Sequence, residues 1–207
     1  MTFKLNRRAL AVLAVAGLML AACSKGGGGG TVASADDMTM GDPKAPVKVV
    51  EYASVTCPHC AEFNLKVFPA IKAKYIDTGK VHYTFREILT APGEVAAAGF
   101  LTARCAGKDK YFTVVDEVFK AQQEMFSGAT PNDVLRRIAN ENGLSDKQFE
   151  TCISDPANLK AISDRVEKNS RDGEITGTPA FVVNGKKMKE GEISLAEFAA
   201  FVAEASK

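Results

Sequence analysis

Tryptophan is absent from the 207 residues, and histidine occurs only twice, as His59 and His82. Two imidazoles limit any metal site that depends on histidine. Charge of one sign is also lacking: 26 Lys and Arg face 25 Asp and Glu, a formal net of +1. Phosphate binding needs a basic field, so nothing here points to a nucleic-acid partner. No apolar run approaches the roughly 20 residues of a membrane-spanning helix; the longest covers residues 9–20. There is no internal repeat. What remains is 46% hydrophobic and 25% charged, an ordinary globular composition. The length suits one domain, or one domain with a large insertion, at roughly 100–200 residues per domain.

The first 22 residues read as an export signal. Lys4, Arg7 and Arg8 form a positive start, and the apolar run follows at the length of a secretory core. Residues 20–23, Leu-Ala-Ala-Cys, resemble the lipobox of bacterial lipoproteins. That resemblance implies lipidation of Cys23 and a membrane anchor, and Ser24 at the next position favours the outer membrane over the inner. Ordinary cleavage nearby is the alternative. Removing residues 1–22 takes away three positive charges and no acid, so the mature chain is slightly acidic. Residues 23–41 carry a five-glycine run followed by small and polar residues, and read as a flexible tether. About 18 residues of such chain span roughly 25 Å.

Five cysteines are present: Cys23, Cys57, Cys60, Cys105 and Cys152. An odd number in an exported protein asks for an explanation, and lipidation of Cys23 supplies one. Four cysteines allow three pairings. Cys57 and Cys60 form a C-x-x-C, more often a redox dithiol than a staple, which leaves Cys105 with Cys152 as a structural disulfide. Two buried free thiols are the alternative there.

Residues 47–53 are mostly apolar and read as a central strand. A helix should begin at Cys57-Pro58, with Pro58 where its missing N–H costs nothing and Pro69 kinking it later. Residues 81–85 alternate, with His82 and Thr84 on the face opposite Val81, Tyr83 and Phe85; His82 is expected outside the core. Strand, helix and strand make a βαβ unit with parallel strands. Residues 91–173 are helical in pattern. Leu159, Ile162 and Val166 share one helix face. Residues 180–188 then read as a hairpin turning at Asn184-Gly185, and Ser194-x-x-Glu197 caps a last helix. The fold class expected is α/β: a thioredoxin fold (42–90 and 174–207) carrying a helical insertion (91–173).

The chemistry centres on Cys57-Pro58-His59-Cys60 at the strand-to-helix junction. A helix N-terminus favours an anion, and thiolate is the nucleophile, so Cys57 should have a depressed pKa. Cys60, one turn inside, is the shielded resolving thiol. The His59 side chain is placed to donate towards the Cys57 thiolate. Stabilising the reduced form makes the disulfide a stronger oxidant. No cofactor is called for. A zinc site at these residues lacks a second ligand pair.

Cys57-Pro58-His59-Cys60, together with Thr178-Pro179 ahead of a terminal ββα unit and a helical insertion between, resembles the DsbA-like thiol:disulfide oxidoreductases. The resemblance runs from about residue 42 to 207. It implies disulfide transfer to reduced or unfolded exported proteins in the periplasm, by a monomer that a DsbB-like membrane partner reoxidises. It also implies a cis peptide at Pro179, packed against the dithiol, and an acid beneath it, which maps onto Glu51. A buried Glu51 would shuttle the Cys60 proton; an accessible strand face is the other reading.

Thr178 departs from the best-known oxidase of the family, which has Val before the proline. Thr also occurs in isomerase-type relatives, but those carry an N-terminal dimerisation domain that residues 24–41 are too short to supply. Disulfide isomerase, dedicated reductase and lipid-anchored peptide-binding chaperone are the competing functions.

Overall fold

Residues 34–207 are described by a computed structural model. The export signal, Cys23 and most of the expected tether lie outside the described residues. The strand expected at the centre is there: β2, Val47–Ala53, is buried along nearly its whole length. A strand this buried must have its backbone N–H and C=O groups paired along both edges. Its partners are β3 (Val81–Glu87), parallel to it, and β4 (Ala180–Val183), antiparallel. With β5 (Lys186–Glu190) closing a hairpin, and β1 (Met38–Met40) at the far edge, the sheet order is β1-β3-β2-β4-β5. The hairpin turns at Asn184 and Gly185 with φ of 45° and 87°. Both central residues are thus left-handed, which Asn-Gly tolerates.

The tether stops short of residue 41. Met38–Met40 forms β1, pairing antiparallel with β3, Met38 opposite Phe85 and Met40 opposite Tyr83. Composition hid it because three residues carry no period. What fixes it is tertiary: Met38 is buried in the core, and Asp37 pairs at 3.0 Å with Arg86. With β1 on its outer side, β3 is buried at every position. His82 is only 8% exposed, against the expectation that it lies outside the core. Burial first, and then the Lys48 charge beside it, lower its pKa, so its neutral form is favoured.

Between β2 and β3 the chain forms α1 (Pro58–Lys66) and α2 (Phe68–Ile71), followed by one turn of π-helix, Lys72–Ile76. The kink expected at Pro69 is a break at Val67: a proline at the start of α2 has no N–H to continue the ladder. Five helices make the insertion: α3 (Gly93–Cys105), α4 (Tyr111–Phe126), α5 (Pro131–Glu141), α6 (Asp146–Ser154) and α7 (Pro156–Gly173). The expected stripe on α7 is narrower than its pattern: Ile162 is buried, but Leu159 is 41% exposed. Helix α8, Leu195–Ala205, closes the chain behind the Ser194–Glu197 capping box.

Cys105 and Cys152 are joined, tying the end of α3 to α6 across 47 residues of sequence. Closing a loop of that length stabilises by about 2–4 kcal/mol in the chain-entropy account. Replacing both cysteines with alanine should lower unfolding stability by that amount. Urea denaturation checks it, and a loss below about 1 kcal/mol would mean the bridge contributes little.

Candidate active site

The chain leaves β2 through Ser54, Val55 and Thr56, all buried. The Thr56 hydroxyl meets the Thr90 hydroxyl at 2.8 Å, and Thr90 N–H donates to Ser54 Oγ at 3.1 Å. This short hydroxyl network pins the loop to the segment after β3. Gln122 of α4 pins it from the insertion side. Its Nε2 donates to the Val55 carbonyl at 2.7 Å and to the Cys57 carbonyl at 3.1 Å.

Cys57 is the N-cap of α1, with extended backbone (φ −85°, ψ 119°), and Pro58 opens the helix. The first amides of a helix have no partner within it. Here they serve sulfur. The Cys57 pKa falls to about 5: the hydrogen bond from the Cys60 thiol contributes most, burial opposes it, and the Thr178 side chain with the Cys60 and His59 backbone N–H groups adds the rest. Cys60 is 0% exposed and its pKa is pushed far up by burial, reinforced by the neighbouring Cys57 sulfur. Both thiols are free, so the structure is that of the dithiol form. One thiol is poised as an anion and its neighbour is held protonated.

The Thr178–Pro179 peptide is cis, as expected from the resemblance. The Cys57 thiol donates to the Thr178 carbonyl at 3.4 Å. Behind it, the Gly191 N–H donates to the Pro179 carbonyl at 2.7 Å, tying this turn to the loop after β5. Residues 121 apart in sequence thus meet at one sulfur atom.

His59 is placed differently from the expectation. Its Nδ1 lies 2.5 Å from Glu192 Oε1 in that same loop, and the ring stays largely in solvent. The carboxylate raises the His59 pKa. What His59 gives Cys57 directly is its backbone N–H.

Glu51 is fully buried, which excludes an accessible strand face for it. Asn64 Nδ2 donates to its Oε1 at 3.1 Å, and the Tyr83 hydroxyl donates to its Oε2. Burial raises the Glu51 pKa to about 7, against the lowering effect of those two hydrogen bonds. A carboxyl poised near neutrality beside a buried thiol suits proton exchange with it.

Comparison with known proteins agrees with this geometry. The family profile described as thioredoxin matches residues 33–204. The crystal structure of Wolbachia pipientis α-DsbA1 superposes with a TM-score of 0.77 at 30% identity, covering 84% of this chain and 93% of that one. The chain belongs to the DsbA-like branch of the thioredoxin family. A Rickettsia conorii protein named for protein-disulfide oxidoreductase activity is 33% identical over 151 residues. The match takes in 72% of this chain and 54% of that one, so the chain spans about half the length of its rickettsial relative. BdbD of Bacillus subtilis, at 24% identity and a TM-score of 0.68, shares the fold.

In this DsbA-like chain, Cys57, Cys60, Thr178, Pro179 and Glu51 converge. His59 sits at the rim against Glu192, while the Cys105–Cys152 bridge belongs to the insertion. Sequence patterns do not reveal Asn64, Tyr83, Gln122 and Glu192 as members of the site. Only Asn64 carries a local signal, lying four residues after Cys60 and so on the same helix face.

Thiolate absorbance of the reduced protein should titrate with a midpoint near 5. A thiol whose folded pKa is depressed stabilises the folded dithiol form; that contribution is full above the free-thiol pKa of about 8.5 and is lost as pH falls through the folded value. Unfolding of the dithiol and disulfide forms across pH 4–9 should show the dithiol form losing ground as acid is added. A midpoint near that of a free thiol would contradict the site as described.

Proposed function

We propose that this chain is an exported protein-disulfide oxidase that donates the Cys57–Cys60 disulfide to cysteine pairs in envelope proteins. The observation that carries the reading is Cys57 at the α1 N-cap with its pKa at about 5, against a buried, protonated Cys60. A thiolate stable at neutral pH is a good leaving group and a reluctant reductant, so the equilibrium favours giving the disulfide away. This favours oxidase over reductase and isomerase.

The cycle begins when a client thiolate attacks Cys57 Sγ. The Cys57–Cys60 bond breaks and its electron pair leaves on Cys60, which takes a proton from Glu51. A second client thiolate then attacks the client sulfur of the mixed disulfide. It closes the client disulfide and releases Cys57 as the thiolate that the helix terminus holds. Backbone groups beside Cys57, above all at Thr178, offer an extended client a grip independent of its sequence. A DsbB-like membrane partner restores the Cys57–Cys60 bond.

Residues 1–22 supply export and Cys23 the lipid. The enzyme works as a monomer on a tether shorter than residues 23–41, at the periplasmic side of the outer membrane. The activity test is the equilibrium of the reduced protein with glutathione, followed by oxidation of a reduced, unfolded client. A potential above roughly −200 mV together with client oxidation is expected; one near the roughly −270 mV of a thioredoxin-type reductant would overturn the oxidase reading. Labelling with radioactive palmitate in cells, lost in Cys23→Ala, tests the anchor.

A further inference from the structure

Glu51 is caught between two requirements. Its carboxyl is wholly shut off from solvent. Yet exchanging a proton with Cys60 obliges it to trade that proton with bulk water in every cycle. The thiols close it on the active-site side: Cys60 is 0% exposed and Cys57 6%.

The opposite side is open. A cavity of about 330 Å³ lies among β1, β3, α2 and α4, with exposed Thr113 on its lining. Asn64 and Tyr83, the two side chains that donate to Glu51, both line it. The rest of the wall is mainly apolar, Phe68, Phe85 and Phe112 among it, with Lys72 and Asp116 as its charged members. A water molecule occupies about 30 Å³ of liquid, so several fit.

We propose that this cavity is the proton port of Glu51, with the Tyr83 hydroxyl as the relay and Asn64 as the positioning residue. The inference rests on Glu51 serving Cys60. A hydroxyl donates and accepts at once. Tyr83 therefore accepts the carboxyl proton of Glu51 at its oxygen while passing its own to water, or runs the reverse, and never ionises. Burial and the Glu51 charge push its ionisation well above the usual phenol range, which keeps it neutral throughout. Asn64 cannot relay, since an amide nitrogen has no lone pair to take the proton. Its Nδ2 reaches Glu51 Oε1 at 3.1 Å and the Cys60 carbonyl at 3.0 Å, holding the acid in register with the turn that carries the thiol. The titratable groups facing this chain of contacts are Cys57 at the α1 N-cap, Cys60 from α1 and Tyr111 from α4, with Lys72 and Asp116 on the wall of the cavity.

Oxidation of a client then leaves Glu51 as a carboxylate, its proton on Cys60, and the port reprotonates it from water. Reoxidation sends a proton outward by the same path.

The test uses the full chain, oxidised, reacted with a reduced single-cysteine peptide by stopped flow. Wild type, Tyr83→Phe, Thr113→Trp and Glu51→Gln are compared in H2O and D2O, with and without added imidazole. For Tyr83→Phe the expected result is a rate about tenfold lower, a larger solvent isotope effect, and recovery as imidazole rises. The Cys57 thiolate midpoint should stay where it is in wild type. Thr113→Trp narrows the port from the exposed side without touching Glu51, and should also slow the reaction. Wild-type rates in both variants would overturn the port. So would a slow Tyr83→Phe with a shifted thiolate midpoint and no response to imidazole. If Glu51→Gln reacts at the wild-type rate, the shuttle itself fails; if it alone is slow, only the route fails.

Discussion

Replacing Cys60 with alanine should hold the protein on whatever it attacks. Offered a disulfide peptide, the Cys57 thiolate bonds one sulfur and expels the other as a thiolate. In the wild type, Cys60 then attacks Cys57, releases the peptide and closes the ring. Two sulfurs held within one helical turn react with an effective concentration of about 10⁵ M or more, against millimolar external thiol. Turnover should therefore drop by at least about a thousandfold, and the peptide adduct should persist as a stable mass on non-reducing analysis. The same substitution removes the thiol hydrogen bond that contributes most to lowering the Cys57 pKa, so the thiolate midpoint should rise from about 5. Turnover within tenfold of wild type would mean that Cys60 is not the resolving thiol.

The roles of Cys57 and Cys60 are legible in the sequence because both are local. A C-x-x-C at a strand-to-helix junction places one sulfur at the helix terminus and the other a turn inside, whatever the rest of the chain does. The same holds for the Asn184-Gly185 turn and the Ser194 capping box, where a few consecutive residues determine the geometry. Features made by distant partners leave no such trace. Glu192 reaches His59 across 133 positions, and Gln122 reaches Cys57 across 65. Nothing in the neighbourhood of either residue marks it.

Strand β1 escapes sequence patterns for a related reason. Met-Thr-Met has no period to count, and it is a strand because β3 offers it an edge. The burial of His82 is likewise tertiary, since a strand expected to have one face open to water is buried at every position. Glu51 is readable as an acid in an apolar strand, but its burial depends on Tyr83 and Asn64 arriving from other elements. Pattern alone leaves it undecided.

Substituting Glu87 with alanine should cost a large share of the protein's stability. Glu87 ends β3 with its side chain wholly buried. Arg104 of α3 donates from Nε at 2.6 Å and from Nη2 at 2.9 Å, the bidentate fork that arginine offers a carboxylate. Tyr111 of α4 donates its hydroxyl at 2.9 Å, and Arg165 of α7 lies within 3.5 Å. Three helices of the insertion thus meet the sheet at one carboxylate. A buried ion pair adds little over a well-packed apolar replacement, but removing one partner strands the other in a poor dielectric, at about 3–5 kcal/mol. Alanine leaves two guanidiniums and a phenol facing a void. Unfolding followed by denaturant should show that loss, and Glu87→Leu combined with Arg104→Met should recover part of it, because one of the two stranded charges goes too. The damage should also reach the chemistry. Glu87 stands three residues before Thr90, which holds Ser54 and Thr56 and through them the entry to Cys57. In the fraction of Glu87→Ala that stays folded, the thiolate titration should broaden as that loop loosens. A loss below about 1 kcal/mol with an unchanged titration would mean that the insertion is held to the sheet by apolar packing alone.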